Sequence, residues 1–140
     1  PSGHLASTMP YGNVDPSFNI PELAKGAGAS FVARGTAYHA AGLDRLIIEA
    51  IQHKGLSVVE IINACPTTHG RRNKFKSPTD MLLWMKDTFI PAVAFDKLPA
   101  EKTAGKFPMG VLFKKEGAPE YCETYYGLVE RLKKQREGRA

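Results

Sequence analysis

The side chains most capable of chemistry are concentrated in one short segment, residues 63–73. It combines a thiol (Cys65), an imidazole (His69), hydroxyls, amides and two guanidinium groups within eleven residues. Pro66 stiffens the backbone beside the thiol and holds the sulfur in one orientation. Such a thiol can be a nucleophile, a metal ligand or a packing residue. Composition alone favours packing, and a nucleophile with His69 as its base stays open, because cysteine and histidine at this spacing recur by chance.

Positive charge is concentrated beside that thiol and at the end of the chain. The net charge is +5, from 19 basic and 14 acidic residues. The excess lies in the tail 131–139 and in four side chains that we call the basic patch: Arg71, Arg72, Lys74 and Lys76. A basic patch can meet nucleic acid, a phosphate-bearing cofactor or an acidic protein. The alternatives are a solvated loop and, for the tail, an exposed helix end.

Other polar residues have simpler interpretations. Glu60 interrupts an apolar strand pattern, where catalytic acids are also found, so it is either paired or solvent-facing, and exposure at a sheet edge is the simpler of these. His39 and His53 flank a predicted helix. The position of His53 near the C-terminal end of this helix favours an interaction with the helix dipole rather than a role as a ligand. Cys122 has no companion cysteine or histidine nearby and is interpreted as structural.

Two strands and a helix must position the cysteine segment. Phe31–Ala33 is a compact apolar run that predicts a buried strand opening into a loop at Arg34. Apolar residues at helical spacing predict a helix from Gly42 to Lys54, ended by Gly55. The β-branched run Val58–Asn63 predicts a strand covered on both sheet faces. Together they form a β-α-β unit with two parallel strands, so the predicted class is α/β and ligands are expected beyond the strands' carboxyl ends.

The remaining pattern predicts three more helices and one more strand. A first helix begins at Asn19 and ends near Gly26. A second is capped by Ser77, and helical spacing places Met81, Trp84 and Met85 in the core or in a subunit contact. An irregular connection over 90–108 is expected to pack on a partner. The run Met109–Phe113 predicts a third sheet strand, and a last helix begins at Pro119, its apolar face formed by Tyr121, Tyr125, Leu128, Val129 and Leu132.

Composition bounds the class of protein. The chain has 140 residues, 43% apolar and 24% charged, which is ordinary for one soluble domain, and no run of eighteen apolar residues could span a bilayer. The two cysteines form no spaced pair, so a disulfide is not expected and a cytoplasmic setting is favoured. The chain opens at Pro1 on a polar, turn-rich segment that looks like a continuation of something longer. No glycine-rich phosphate loop, Walker motif or spaced metal quartet occurs.

Three pieces of the sequence resemble the β subunit of 2-oxoacid:ferredoxin oxidoreductases, particularly the 2-oxoglutarate type. They are FVARG at 31–35, HKG at 53–55 and ACPT at 64–67, in the expected order. The resemblance covers nearly the whole chain and implies a parallel-sheet, thiamine-diphosphate-binding α/β fold, of which this would be the C-terminal portion only. It divides the chain into an extended lead-in (1–18), a β-α-β region (19–64) and a C-terminal region (65–140).

Members of this family use thiamine diphosphate, magnesium, iron–sulfur clusters and coenzyme A to convert a 2-oxoacid to its acyl-CoA, and they pass electrons to ferredoxin. The family's GDG-to-Asn motif and three of its cluster cysteines would lie upstream of Pro1 and are absent here. The resemblance places the fourth ligand of a 4Fe–4S cluster at Cys65, and a thiolate is a suitable ligand. The isolated segment is therefore expected to carry a free thiol, to bind no cofactor and to be inactive.

The resemblance also suggests partners. In the complete complex the segment would meet an α subunit, a 2-oxoacid, coenzyme A and ferredoxin. Arg71, Arg72, Lys74 and Lys76 would dock ferredoxin or coenzyme A, since a basic rim raises encounter rates with acidic partners. The alternative is a small basic α/β module that binds nucleic acid, although only Phe75 is interleaved with the basic residues for stacking on bases. Apolar sheet surface left uncovered in the segment predicts self-association.

Overall fold

The computed structural model describes residues 2–138. Pro1, and Arg139 of the basic tail, lie outside these residues. Four strands form one sheet in the order β2-β1-β4-β3. Among the described residues, no helix is both long and apolar enough to cross a bilayer. The strands are β1 (Phe31–Thr36), β2 (Ser57–Ile62), β3 (Phe89–Pro91) and β4 (Phe107–Lys114).

The predicted β-α-β unit is confirmed. β1 and β2 run parallel in continuous register, and helix α2 (Ala40–Gln52) connects them through a short 3-10 turn. Helix α2 begins two residues before Gly42 and ends at Gln52, with His53 as its C-cap. Gly55 follows with a φ of 107°, a left-handed conformation that favours glycine and turns the chain into β2.

Strand β1 forms the centre of the core and is longer than predicted. All six of its residues are buried, including Arg34 and Thr36, although the sequence pattern predicts a loop from Arg34 onward. A side chain at Gly35 would meet Leu43 of α2, since its Cβ would lie 2.7 Å from Leu43 Cδ1. The glycine therefore allows helix and strand to approach closely, and the strand continues beneath the helix.

Strand β2 is not covered on both faces, contrary to its β-branched pattern. It lies at one edge of the sheet and pairs with β1, its residues are half-buried, and Ile61 is 48% exposed. A run of β-branched residues is typical of strands whose two faces are both buried by other elements. Within residues 2–138, other elements bury the faces of β2 only in part.

The sheet is mostly parallel rather than purely parallel. β3 and β4 are parallel to each other, but β4 runs antiparallel to β1. The strand predicted at Met109–Phe113 is thus confirmed as part of β4, while its direction was not foreseen. An apolar run has the same pattern in either direction, so only the neighbouring connections fix its orientation.

Within the lead-in, turns occur between residues 2 and 11, a bridge joins Ala6 to Met9, and residues 13–18 form no helix or strand. Two further features differ from the predictions. The connection over 90–108 is not irregular throughout, because β3, two single-turn helices and the start of β4 occupy most of it. The last helix begins at Tyr121 rather than Pro119, and its apolar face is between 40% and 76% exposed at Tyr121, Tyr125, Leu128 and Leu132.

The other predicted helices are present. Helix α1 spans Ile20–Gly26. Helix α3 spans Pro78–Thr88, and the Ser77 hydroxyl caps it by accepting the Asp80 N–H at 3.1 Å. Met81 and Met85 of α3 are buried, as its spacing predicted. The short helices are α4 (Ala92–Phe95) and α5 (Ala100–Thr103), and the last helix is α6 (Tyr121–Glu137).

Candidate functional site

The largest cavity of the described residues lies where β2 ends. Its volume is about 610 Å³, and it is bounded by the lead-in, the cysteine segment, α3 and the start of β4. Its lining combines aromatic or apolar side chains, such as Trp84, Met85 and Phe89, with the polar groups of Arg34, Glu60 and Cys65. A cavity beyond the carboxyl end of a parallel strand is where α/β sheets bind ligands.

Cys65 lies at the rim of this cavity on a rigid turn. It follows the end of β2 by three residues, it is exposed, and its carbonyl accepts the Gly70 N–H at 2.9 Å across a π-helical turn, Pro66–Gly70. Gly70 is buried, and a side chain there would lie 2.9 Å from the sulfur of Met81. The turn is therefore packed against α3, and the orientation of the thiol is fixed by the fold.

Backbone donors surround the sulfur. The N–H groups of His69 and Thr68 hold the pKa of the Cys65 thiol below its usual value, with smaller support from the hydroxyls of Thr67 and Thr68. A lowered pKa favours the thiolate, which is the form of cysteine that reacts as a nucleophile and binds metals. Residues 2–138 contain no group of three or more histidine, cysteine or acidic side chains that could hold a metal.

His69 does not act as a base toward this thiol. Its ring stacks on His4, with centroids 5.1 Å apart, and its Nε2 lies 3.3 Å from His4 Nδ1. Its Nδ1 lies 3.3 Å from the Asn73 side-chain amide. Burial, and then the charge of His69, lower the pKa of His4, so His4 favours the neutral form that can share a proton with its neighbour. Both ring nitrogens of His69 thus have partners other than Cys65, and the Cys65–His69 nucleophile–base pair is not formed.

Glu60 forms a buried ion pair with Arg34 across β1 and β2. The Arg34 Nε lies 2.5 Å from Glu60 Oε2, and the side chains are 10% and 14% exposed. Arg34 also donates to the carbonyl of Pro108 at 3.3 Å and to Asn19 Oδ1 at 3.5 Å. Edge exposure of Glu60, the simpler expectation, was therefore wrong. The pair joins β1, β2, β4 and the start of α1 behind the cavity wall.

An aromatic cluster connects the cysteine segment to that ion pair. Phe75 lies 6.1 Å from the ring of His69 and 6.1 Å from Trp84. The cluster continues through Phe89 to Phe107, and the Arg34 guanidinium lies 6.0 Å from the centre of the Phe107 ring. Phe75 therefore packs inward rather than beside the exposed basic residues. The basic patch thus lacks the stacking residue on which the nucleic-acid alternative depended.

The basic patch divides into two pairs of side chains. Arg71 and Lys76 line a second cavity of about 250 Å³ together with Thr67 and the capping residue Ser77. Arg72 and Lys74 are not part of that lining, and Lys74 has a φ of 63° in a left-handed turn. The patch therefore presents one pair of cations at a concave surface and a second pair outside it.

The other candidates have local roles. Thr36 caps the turn after β1 by accepting the backbone N–H of His39 at 3.4 Å, and the Nδ1 of His39 lies 2.8 Å from the same hydroxyl. His53 lies 3.0 Å from the Ser30 hydroxyl and packs its ring against Phe31. Cys122 is exposed on α6, so it is not a buried structural residue, and the negative charge of Glu120 and then desolvation raise the pKa of its thiol.

Three functional contacts were not foreseen from the sequence. His4 contacts the cysteine segment at His69, Leu5 contacts it at Asn73, and Arg34 belongs to the cavity wall rather than to a loop. The only signal for Arg34 was Glu60, a charge within an apolar strand that required a partner. The contacts of His4 and Asn73 join residues more than 60 positions apart, which no local pattern indicates.

Comparison with known proteins gives the chain its relatives. No protein-family model matches it. The 2-oxoglutarate synthase subunit KorB of Methanothermobacter marburgensis is 37% identical over 130 residues, which cover 93% of this chain and 45% of that protein. KorB of Archaeoglobus fulgidus is 42% identical over 135 residues and is covered to the same extent, 45%. The chain spans about half the length of the curated relatives it matches.

A solved structure gives the same result. A chain of the 2-oxoglutarate:ferredoxin oxidoreductase from Magnetococcus marinus, determined with 2-oxoglutarate, coenzyme A and succinyl-CoA bound, superposes with a TM-score of 0.70. It is 26% identical, and the match covers 94% of this chain and 45% of that one. The α/β class and the resemblance indicated by FVARG, HKG and ACPT are thereby confirmed.

Proposed function

We propose that this chain, which resembles part of the β subunits of 2-oxoacid:ferredoxin oxidoreductases, is the C-terminal segment of such a subunit. In the complete enzyme it would take part in the oxidative decarboxylation of 2-oxoglutarate, or of a related 2-oxoacid, to the acyl-CoA, with reduction of ferredoxin. The observation that carries the proposal is the match of nearly the whole chain, in both sequence and fold, to proteins of this kind. The α subunit is the partner, and the cytoplasm is the setting in which we expect the complex.

Cys65 is the residue of this segment that would hold a cofactor. Its sulfur lies beyond the end of a parallel strand, on a turn fixed by Gly70, with N–H groups that favour the thiolate. We assign it as one ligand of a 4Fe–4S cluster whose other ligands lie outside this chain. Thiamine diphosphate and Mg²⁺ would likewise be held by parts of the subunit beyond these residues. When bound, thiamine diphosphate would supply an electron sink for decarboxylation, and the cluster would supply one-electron transfer.

The residues present would prepare the surroundings of that chemistry. Trp84 and Phe89 would give part of the cavity an apolar, aromatic lining. The Arg34–Glu60 pair, which lines the same cavity, joins β1, β2 and β4. Because both charges of the pair satisfy each other, they tie the strands together without leaving a net charge in the wall.

The basic patch is the proposed docking surface for ferredoxin or coenzyme A. Arg71 and Lys76 face a concave surface that suits a phosphate-bearing ligand, while Arg72 and Lys74 present charge outside it, as protein docking requires. Replacing Arg71 and Arg72 with glutamate in the complete complex should slow ferredoxin reduction most at low ionic strength. A matched control is Arg131→Glu with Lys134→Glu, which reverses two exposed charges on α6. Rates that stay unchanged at every salt concentration would remove the docking role.

The experiment that tests the function uses the complete subunit. The full β subunit is produced with its α subunit, and ferredoxin reduction is followed in the presence of coenzyme A with 2-oxoglutarate, pyruvate or a branched-chain 2-oxoacid. We expect reduction that requires both coenzyme A and one of these acids, with 2-oxoglutarate preferred. The segment of residues 1–140 alone should show none. If the reconstituted complex fails to reduce ferredoxin whichever of these acids is supplied, the proposal is contradicted.

A further inference from the structure

One side-chain amide, that of Asn73, joins the cysteine segment to the lead-in. Its Oδ1 accepts the backbone N–H of Leu5 at 2.8 Å, and its Nδ2 donates to the carbonyl of Leu5 at 3.0 Å. The same Nδ2 donates to the carbonyl of His69 at 2.9 Å. Asn73 is half-buried, and Leu5 lies 68 positions away in the sequence. The amide therefore makes two long-range hydrogen bonds to Leu5 and one local hydrogen bond to His69.

Both ends of this contact belong to the candidate site. On one side, His69 lies in the Pro66–Gly70 turn, whose Gly70 N–H donates to the carbonyl of Cys65 at 2.9 Å, so a shift of residue 69 moves the backbone that carries the thiol. The His69 N–H is also the main donor that lowers the pKa of this thiol. On the other side, the lead-in that Leu5 anchors supplies Met9, Asn13 and Asp15 to the wall of the large cavity. Asn73 thus couples the position of the thiol's donor to the position of the wall opposite.

Much of the apolar surface of the lead-in is left unpacked. Tyr11 is fully exposed, Val14 is 90% exposed and Phe18 is 73% exposed, while Leu5 and Met9 are half-buried. The lead-in is joined to the cysteine segment by the Asn73 amide and by the stacked rings of His4 and His69. Polar contacts therefore hold this wall of the cavity in place.

We propose that Asn73 is a positioning residue for Cys65. It fixes the turn that carries the thiol against the lead-in, and so sets the geometry of the N–H groups around the sulfur. The inference rests on the proposed function, in which Cys65 binds an iron–sulfur cluster. Hydrogen bonds to cluster sulfurs tune the reduction potential of a cluster, so a residue that places these donors affects electron transfer without touching the metal.

The chemistry of the amide makes the proposal specific. An amide offers an acceptor and two donor hydrogens on one planar group, and all are used here. Asn73→Asp keeps the size of the side chain and the acceptor for the Leu5 N–H. It replaces the NH₂ donor with a carboxylate oxygen, which cannot donate to the carbonyls of Leu5 and His69. A role in filling space alone would tolerate aspartate. A positioning role through hydrogen bonds would not.

The test uses the complete β subunit in complex with its α subunit. Asn73→Asp and Asn73→Ala are compared with Thr79→Ala, an exposed residue on the first turn of α3. Hydrogen exchange resolved at single residues should show faster exchange, by about tenfold, at Leu5 and Gly70 in both Asn73 variants, with Thr79→Ala unchanged. In the wild-type protein the Leu5 amide should exchange more slowly than those of the exposed turn residues Ser7 and Thr8.

The second readout is the cluster itself. In the reduced complex, both Asn73 variants should change the electron paramagnetic resonance spectrum and the midpoint potential of the cluster that Cys65→Ser perturbs. If Cys65→Ser alters that spectrum and the Asn73 variants do not, the positioning role is wrong while the proposed function stands. If Cys65→Ser leaves every cluster unchanged, the ligand assignment fails, and the positioning role fails with it. If the Leu5 amide exchanges as fast as the Ser7 amide in the wild-type protein, the Asn73–Leu5 hydrogen bond is absent and the proposal is wrong.

Discussion

Removing Glu60 should destabilise the chain strongly, because Arg34 would be left buried without its counter-charge. Only 10% of the Arg34 side chain and 14% of the Glu60 side chain are exposed, and the other hydrogen bonds of Arg34 go to neutral acceptors, the carbonyl of Pro108 and Asn19 Oδ1. Breaking a buried ion pair by removing one partner typically costs about 3–5 kcal/mol of unfolding free energy. That is a large share of the roughly 5–15 kcal/mol that stabilises a domain. We therefore expect Glu60→Leu to lower the urea midpoint steeply.

The assay is urea unfolding of residues 1–140, followed by the fluorescence of Trp84, the only tryptophan of the chain, which lines the same cavity. The double variant Arg34→Met with Glu60→Leu should recover most of the lost stability, because it removes both charges together. Glu123→Ala, which breaks the exposed pair with Lys54, serves as the control. If Glu60→Leu costs no more than Glu123→Ala, the argument that a buried pair holds these strands together is refuted.

Three further predictions concern the same chain. Alkylation of Cys65 should reach its maximal rate at lower pH than alkylation of Cys122, because the pKa of the Cys65 thiol is lowered and that of the Cys122 thiol is raised. Peptide mapping after treatment with iodoacetamide at several pH values checks this order, and the reverse order would contradict it. Gly55→Ala should destabilise by about 1–3 kcal/mol, since its φ is 107° and the added carbon would collide with the Ser30 hydroxyl. Gly117→Ala, with a positive φ but open space, should cost less in the same urea experiment, and equal losses would show that the close contact does not matter. The isolated chain should self-associate through its exposed apolar residues, and a monodisperse monomer in light scattering would contradict this.

The β-α-β unit could be predicted from sequence because its signals are local. The helix carries apolar residues at a period of 3.6 and ends before a glycine, and both strands are short β-branched or apolar runs. Each of these patterns depends on contacts that the element makes in any α/β fold. Their ends differ from the predicted ones by a few residues, because caps such as His53 and buried charges such as Arg34 depend on neighbouring elements.

Sheet topology could not be obtained in the same way. The direction of β4 depends on the connection before it, where β3 is three residues long and contains Pro91. A strand that short has no measurable alternation, so the segment looked irregular. The partial burial of β2 depends on which elements pack against it, and the residues of the strand do not indicate this.

The site could be predicted in part. The clustering of Cys65, His69 and the basic patch was visible, and the rule for parallel strands placed them beyond β2. The partners of these groups were not visible, since His4 and Leu5 reach the segment from the other end of the chain. As a result the sequence left open a Cys65–His69 catalytic pair that the actual partners of the imidazole exclude.

The assignment of Cys65 is tested most directly by electron paramagnetic resonance of the complete complex after reduction. Cys65→Ser is compared with Cys122→Ser, which removes the other thiol of this segment. We expect Cys65→Ser to remove or shift the signal of one 4Fe–4S cluster and to lower the iron content, while Cys122→Ser keeps both at the wild-type values. Wild-type spectra and iron content in the Cys65→Ser complex would contradict the assignment.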